Sequence, residues 1–238
     1  MKGLVLSLFP GIGLLDMAFE EAGFCVVRGP DLLWGGDVRN FHAPAGRFDG
    51  VIGGPPCQSH SVAIAARGGA QAATHPDQIP EFERILAEAR PSWFLMENVP
   101  GAPPCRGSIW SEVLDAWAFG AAQHRRRRFS SNIFLSPIPI RESERHPDPW
   151  PCITATEYKC SPGSNERTMR QRAGRKVGRR LTIAEINEGM GLPRDFATPG
   201  LTMACSYQVR GNGVPLPMGR AVAAAVIRAL EANAREAA

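Results

Sequence analysis

Three places in the 238-residue chain carry side chains suited to covalent and acid chemistry: Cys57, Glu97 and the arginine run that begins at Arg125. Cys57 follows Gly53-Gly54-Pro55-Pro56, which in turn follows the apolar pair Val51-Ile52. The pair reads as the end of a buried strand. Two glycines and two prolines stop it, so the thiol stands on a stiff loop at the strand's C-terminal edge, where open α/β sheets hold their ligands. A thiol there suits nucleophilic attack if a neighbour favours the thiolate; a buried free cysteine in a turn is the alternative. Glu97 ends the run Trp93-Phe94-Leu95-Met96, a strand that would deliver its carboxyl to the same edge. Burial against those side chains would raise its pKa and keep a proton available for donation. The competing reading is a strand-end carboxylate that caps a helix or pairs with an arginine. A guanidinium from the run Arg125-Arg126-Arg127-Arg128 can hold a carboxylate and a carbonyl together, although an isolated arginine run also fits a solvated patch.

The elements that must position these groups are legible in outline. Leu4 to Phe9 reads as a first buried strand, Pro10 to Gly13 as a tight turn, and Leu14, Leu15, Ala18 and Ala22 as a helix closed by Gly23. Strand, glycine turn and helix make a nucleotide-type half-site. Asp16 stands where the dinucleotide fingerprint needs its third glycine, which disfavours a pyrophosphate-binding dehydrogenase. Phe24 to Val27 reads as a second strand leading to Asp31, and Gly35-Gly36-Asp37-Val38 follows. Carboxylates there can accept ribose hydroxyls or an exocyclic amine, while Asp31 after Gly29-Pro30 also fits a plain turn. Ser61 to Thr74 is a loop rich in alanine and glycine, and Pro76 to Ala89 an amphipathic helix with Ile79, Phe82, Ile85 and Ala89 on one face. Ile109, Val113, Leu114 and Trp117 suggest another helix. Beyond residue 130 the chain becomes proline-rich and then basic, with Arg167, Arg170, Arg172, Arg175, Lys176, Arg179 and Arg180, which fits either phosphate contacts or a flexible basic linker. Thr182 with Glu185 makes a capping box, and Met218, Val222, Val226 and Leu230 share one face of a last helix.

Composition sets broad bounds. With 44% hydrophobic residues the chain can bury one core with a smaller second lobe, and the net charge of +4 leans toward an anionic partner. Six cysteines form no CxxC pair, which suggests reduced thiols and a cytoplasmic setting. His146, Cys152 and Cys160 match no zinc spacing, so no metal site is expected. No apolar stretch approaches the ~18 residues that a membrane span needs, so no membrane contact is expected either.

Five stretches in this order resemble the DNA cytosine-5 methyltransferases: Phe9-Pro10-Gly11-Ile12-Gly13, Pro55-Pro56-Cys57-Gln58, Glu97-Asn98-Val99, Gln123-His124-Arg125-Arg126-Arg127 and Gly211-Asn212-Gly213-Val214-Pro215. The resemblance implies an α/β fold: a Rossmann-like mixed sheet with helices on both faces, of the kind that binds S-adenosylmethionine, plus a small irregular target-recognition lobe. Residues 1–129 completed by 206–238 would form the catalytic domain, and 130–205 the lobe. It implies S-adenosyl-L-methionine as cofactor, held by Phe9, Gly11, Ile12, Gly13, Asp31, Asp37, Val38, Pro55, Asn212 and Val214. Asp31 would meet the ribose and Asp37 the adenine amino group. Cys57 would attack C6 of cytosine, Glu97 donate to N3, Arg127 reach O2 and Arg125 order the site. The implied partner is double-stranded DNA with the target base turned out of the stack, and no obligate protein partner. A tRNA cytosine methyltransferase is the runner-up, disfavoured because the Cys-Phe-Thr signature of that subgroup is missing; an inactive DNA-binding homologue is the other alternative. The chain departs from the family in the short connection between Asp31 and Asp37 and in Gly213, which replaces a small non-glycine residue.

Overall fold

The computed structural model describes residues 2–56, 76–155, 157 and 181–236. Cys57, the loop Ser61 to Thr74, Cys160 and the basic run Arg167 to Arg180 lie outside the described residues.

Strands β1 (Leu4–Leu8), β2 (Cys25–Arg28), β3 (Gly50–Gly53), β4 (Trp93–Asn98), β5 (Trp110–Asp115) and β6 (Arg126–Ser131) form one sheet in the order β2-β1-β3-β4-β6-β5. The first four are parallel; β6 runs antiparallel to both β4 and β5. β1, β3 and β4 are mostly apolar and almost wholly buried because both faces are covered, as parallel sheets require. Alternate side chains go to opposite cores. Val5, Ile52, Trp93 and Leu95 pack with α1 (Leu14–Glu21) and the C-terminal helix, whereas Leu6, Leu8, Val51, Phe94 and Met96 pack under α2 (Ile79–Ala89). Helices therefore cover both faces.

The remaining helices are α3 (Ile183–Gly189), α4 (Met203–Asn212) and α5 (Leu216–Glu236). Thr182 and Glu185 form the expected capping box at the start of α3. Ile186, Met190 and Leu192 pack with Leu14 and Ala18 of α1 and with Tyr207 and Leu216. Part of the stretch assigned from sequence to the small lobe thus closes the core beside the glycine turn, and β6 continues past Phe129 to Ser131.

Two expectations are corrected. The stretch from Ile109 to Trp117 is strand β5 followed by a single 3-10 turn at Ala116–Phe119, not a helix. Its buried residues Trp110 and Leu114 are four apart, a spacing that puts side chains on one face of a strand as well as of a helix. Pairing with β6 decides between them, in the register Leu114↔Arg127. Secondly, the stretch Met203–Glu236 does contain an 18-residue window apolar enough for a membrane span by composition, of which half is buried in the protein. Its apolar face covers the sheet through Met218, Val222 and Val226.

Gly50 opposes Trp93 in the β3–β4 register, and a Cβ on it would stand 2.2 Å from the indole. Gly50→Ala should therefore destabilise the fold by about 1–3 kcal/mol through overpacking. Urea unfolding measures this, and an unchanged midpoint would show that Trp93 yields without cost.

Candidate active site

The site is built at the C-terminal edge of the parallel strands, where β6 returns antiparallel beside β4. Glu97 pairs across with Phe129, so Arg127, two residues back, lies on the same face and within reach of a long side chain. Arg127 Nε stands 2.9 Å from Glu97 Oε1. This is ion-pair contact without a directed hydrogen bond, because Oε1 has no hydrogen-bond partner among the described residues. Glu97 is only 7% exposed. Burial pushes its pKa up, and the nearby Arg127 and Arg125 cations oppose that without reversing it. The other carboxyl oxygen, Oε2, lies close to Gly54: a Cβ there would stand 2.9 Å from it. Gly54 is thus a packing requirement of the carboxyl.

The chain entering the Cys57 loop is clamped from both sides. Asn98 Nδ2 donates to the Pro55 carbonyl at 3.1 Å, and the Gln78 backbone N–H donates to the Pro56 carbonyl at 3.1 Å. Asn98 itself is fixed by accepting from the Val99 N–H at 2.8 Å. Cys57 is the next residue after this clamp.

Arg125 is 1% exposed. Its Nη1 donates to the Ile153 carbonyl at 3.0 Å and lies 3.5 Å from Cys152 Sγ, while Nε and Nη2 have no partner among the described residues. Burial pulls its pKa down to about 10, which still leaves it charged at neutral pH. Gln123, fully buried, holds the surrounding chain: Nε2 donates to the Gly189 carbonyl at 2.7 Å and Oε1 accepts from the Ile153 N–H at 2.9 Å. Backbone bonds from Trp150 N–H to Ala122 and from His124 N–H to Trp150 complete a strap, residues 150–153, laid along 122–125. The strand alternation sends Arg128 elsewhere. It donates to the Pro100 carbonyl and to Ser111 Oγ.

The glycine turn adjoins this edge through β1. Phe9 has φ 56°, a left-handed conformation strained for a phenylalanine, and Gly11 and Gly13 also have positive φ. Strain of this kind collects where backbone is shaped for a ligand. Asp31 accepts from the Gly11 N–H at 2.8 Å and from the Leu33 N–H at 2.7 Å, so it acts as a turn residue while staying beside the glycine turn. Asp37 caps the Val38–Asn40 turn and holds the Arg39 guanidinium on both oxygens, which keeps its carboxyl below the usual range. Val38 and Val214 are buried, Ile12 half-buried and Asn212 exposed at the end of α4. A Cβ on Gly213 would lie 2.5 Å from Leu14 Cδ1, which explains the glycine there.

A family model for C-5 cytosine-specific DNA methylases matches residues 35–103 and 131–228, well over half of the sequence. The chain belongs to this family. Among curated proteins it is 33% identical over 183 residues to the type II methyltransferase M.FnuDI of Fusobacterium nucleatum, covering 59% of this chain and 52% of that one. To M.NgoPII of Neisseria gonorrhoeae it is 31% identical over 159 residues, 52% of this chain and 46% of that one, so the chain spans about half the length of these relatives. The solved S. pombe Dnmt2 methyltransferase shares the fold with a TM-score of 0.64 at 15% identity, over 97% of this chain and 99% of that one. The Entamoeba histolytica methyltransferase EhMeth does so with 0.63 at 14%, over 95% and 98%.

In this C-5 cytosine methylase chain, Glu97, Arg125, Arg127 and Pro55 come together at one edge, with Phe9, Gly11, Gly13 and Asp31 at the neighbouring strand end. Sequence reasoning missed the roles of Asn98 and Gln123, although both stand in quoted motifs, and it missed Arg210 altogether. Arg210 is 1% exposed, pairs with no carboxylate among the described residues, and spends its donors on Asn187 Oδ1 and on the Ser206 and Phe196 carbonyls. It ties α3 to α4. An arginine between Val209 and Gly211 was the available signal.

Gln123→Leu keeps the volume but removes the side-chain bonds to the strap at Ile153 and to the end of α3 at Gly189. It should cost roughly 1–3 kcal/mol for each buried backbone group left unsatisfied. Chemical denaturation of the variant reads the loss, and a cost below ~0.5 kcal/mol would mean that the strap is held by its backbone bonds alone.

Proposed function

We propose that the chain transfers a methyl group from S-adenosyl-L-methionine to C5 of a flipped-out cytosine in double-stranded DNA, through a covalent Cys57 adduct at C6. The observation that carries this reading is the buried Glu97 carboxyl, its pKa raised, set against Arg127 and above the clamped residues that lead into Cys57. Cytosine C5 is a poor nucleophile until C6 has been attacked. The Cys57 thiolate adds to C6 and pushes electrons toward N3; the protonated Glu97 donates there; the Arg127 guanidinium takes the O2 carbonyl. With C5 thus activated, methylation is followed by loss of the C5 proton and expulsion of the Cys57 thiolate. A base inside the duplex stack hides C6, hence the flipped geometry.

The glycine turn fits the cofactor. A Cβ on Gly11 would meet no atom within 4 Å, so ligand atoms can approach that backbone, and Asp31 and Asp37 supply acceptors for hydroxyl and amine groups. S-adenosylmethionine, when bound, supplies the electrophilic methyl group. Phe9 to Gly13, Asp31, Asp37, Val38, Pro55, Asn212 and Val214 are the residues assigned to hold it. The four described free cysteines, Cys25, Cys105, Cys152 and Cys205, suit a reducing cytoplasm. The type II methyltransferase names of the relatives favour a role in restriction–modification.

Incubation with labelled S-adenosylmethionine and either duplex DNA or tRNA tests the substrate; label in tRNA alone would sink the DNA assignment. Cys57→Ala should abolish transfer, and a duplex carrying 5-fluorocytosine should trap the parent protein covalently, since C5 then has no proton to lose. Trapping by Cys57→Ala would refute the thiol's role.

The raised pKa of Glu97 also sets a pH signature. Its proton is present below that pKa and lost above it, so transfer should fall as pH rises through it. Glu97→Gln should lower the rate by roughly 10²–10⁴ and remove that alkaline limb. A limb that persists in Glu97→Gln would assign the titration to another group. Stability follows the same sign: a carboxyl with a raised folded-state pKa stabilises at low pH and loses that contribution as pH rises.

A further inference from the structure

The methyl-transfer reading leaves one thiol beside the buried arginine unused. Cys152 is exposed, and its Sγ lies 3.5 Å from Arg125 Nη1. Arg125 is itself 99% buried, at 1% exposure, with Nε and Nη2 unpartnered among the described residues. A guanidinium 3.5 Å from the sulfur can donate to a peroxide that approaches it and to the oxygen that the peroxide delivers. Unmet donors on a buried guanidinium are costly, and an oxygen added to the neighbouring sulfur would be a strong acceptor for them. Cys25 supplies an internal control: it is also exposed, but no arginine donates to its sulfur among the described residues. The strap fixes the geometry, because Ile153 is bonded to both Gln123 and Arg125 and so pins Cys152 beside the guanidinium.

We propose that Cys152 is an oxidation site, modified by hydroperoxides to a sulfenate that Arg125 receives, and that this modification shuts the neighbouring base pocket. The sulfur attacks one peroxide oxygen, the O–O bond breaks, and an S–O bond forms. Sulfur loses two electrons, the peroxide is reduced, its departing hydroxide takes the thiol proton as water, and the sulfenic acid formed gives its own proton to solvent to become the sulfenate. The sulfenate oxygen then accepts from Arg125 and draws the guanidinium away from Glu97, whose carboxyl it otherwise faces. A small thiol reverses the step, forming a disulfide and then releasing Cys152 as the thiol. The gating half of the proposal rests on the methyl-transfer reading; the oxidation site does not.

The test is run on the whole chain carrying Cys57→Ala, so that the loop thiol cannot compete. After treatment with hydrogen peroxide and dimedone, proteolysis and mass spectrometry compare labelling of Cys152 and Cys25. Cys152 should label at least ~10-fold faster, because charge-assisted hydrogen bonds from Arg125 assist the oxygen transfer. Rates within twofold of each other would overturn the proposal. Arg125→Met should bring Cys152 down to the Cys25 rate. Should that variant fail to fold, the ratio of Cys152 to Cys25 labelling in the folded Cys57→Ala chain decides alone. Gating is read with Cys57 intact. Peroxide should cut methyl transfer by the parent at least ~10-fold, with recovery in dithiothreitol, while Cys152→Ser keeps most of its own untreated rate. Equal loss in both would place the inhibition at Cys57 and overturn the gating. If the untreated parent methylates nothing, the function proposed above fails, and the labelling rates still decide the oxidation site.

Discussion

The architecture turns on burying one carboxyl at a sheet edge. A glutamate out of water is stable only when it is neutral or faces a cation, and Glu97 has both remedies, a raised pKa and Arg127 at 2.9 Å. Each neighbouring feature accommodates that group. Gly54 leaves room for Oε2, and Asn98, the next residue, clamps Pro55. Arg127 on the facing strand and Arg125 just before it repel one another, and both are favoured by the nearby carboxyl. Removal of any one would leave the others buried with less compensation.

This pairing requires the antiparallel strand. In an all-parallel sheet the strand after β4 would start at the opposite edge, and its first residues would lie far from Glu97. Because β6 runs back against β4, its N-terminal residues arrive at the C-terminal end of β4, and the two-residue alternation puts Arg127 and Phe129 on the Glu97 face. Arg126 and Arg128 then point the other way, and Arg128 is committed to Pro100 and Ser111. Four consecutive arginines that look alike in sequence thus divide into different roles by strand parity alone.

That parity is also what made much of the site legible. Apolar runs ended by glycine, proline or a lone carboxyl located β1, β3 and β4 to within a residue or two, and with them the edge where Pro55 and Glu97 meet. The strand β5 was misread because residues spaced by four satisfy both periods, and the deciding fact, its pairing with β6, is not local. The partners of Arg125 and Gln123 were out of reach for a related reason. Ile153 and Gly189 lie in an irregular stretch and at a helix end, 28 and 66 residues away along the chain, with no periodicity to announce the contact.

The charge around the glycine turn decides what kind of ligand it suits. Asp16, in the place of the third fingerprint glycine, is 1% exposed, accepts from Ser7 Oγ at 2.5 Å and from Arg28 Nε at 2.9 Å, and has its pKa raised by burial. Arg28 in turn covers Gly13, where a Cβ would meet its guanidinium at 2.6 Å. The helix start that would greet a phosphate in a dinucleotide enzyme is therefore occupied by an internal ion pair, and its one nearby cation is already neutralised. Asp31 adds a further carboxylate on the Gly11 N–H. A pyrophosphate would meet carboxylates at each of these places, whereas a ligand with a ribose, an amine and a sulfonium cation would find acceptors and negative potential. The departure from the dinucleotide pattern at Asp16 thus replaces a phosphate-accepting helix start with a closed ion pair.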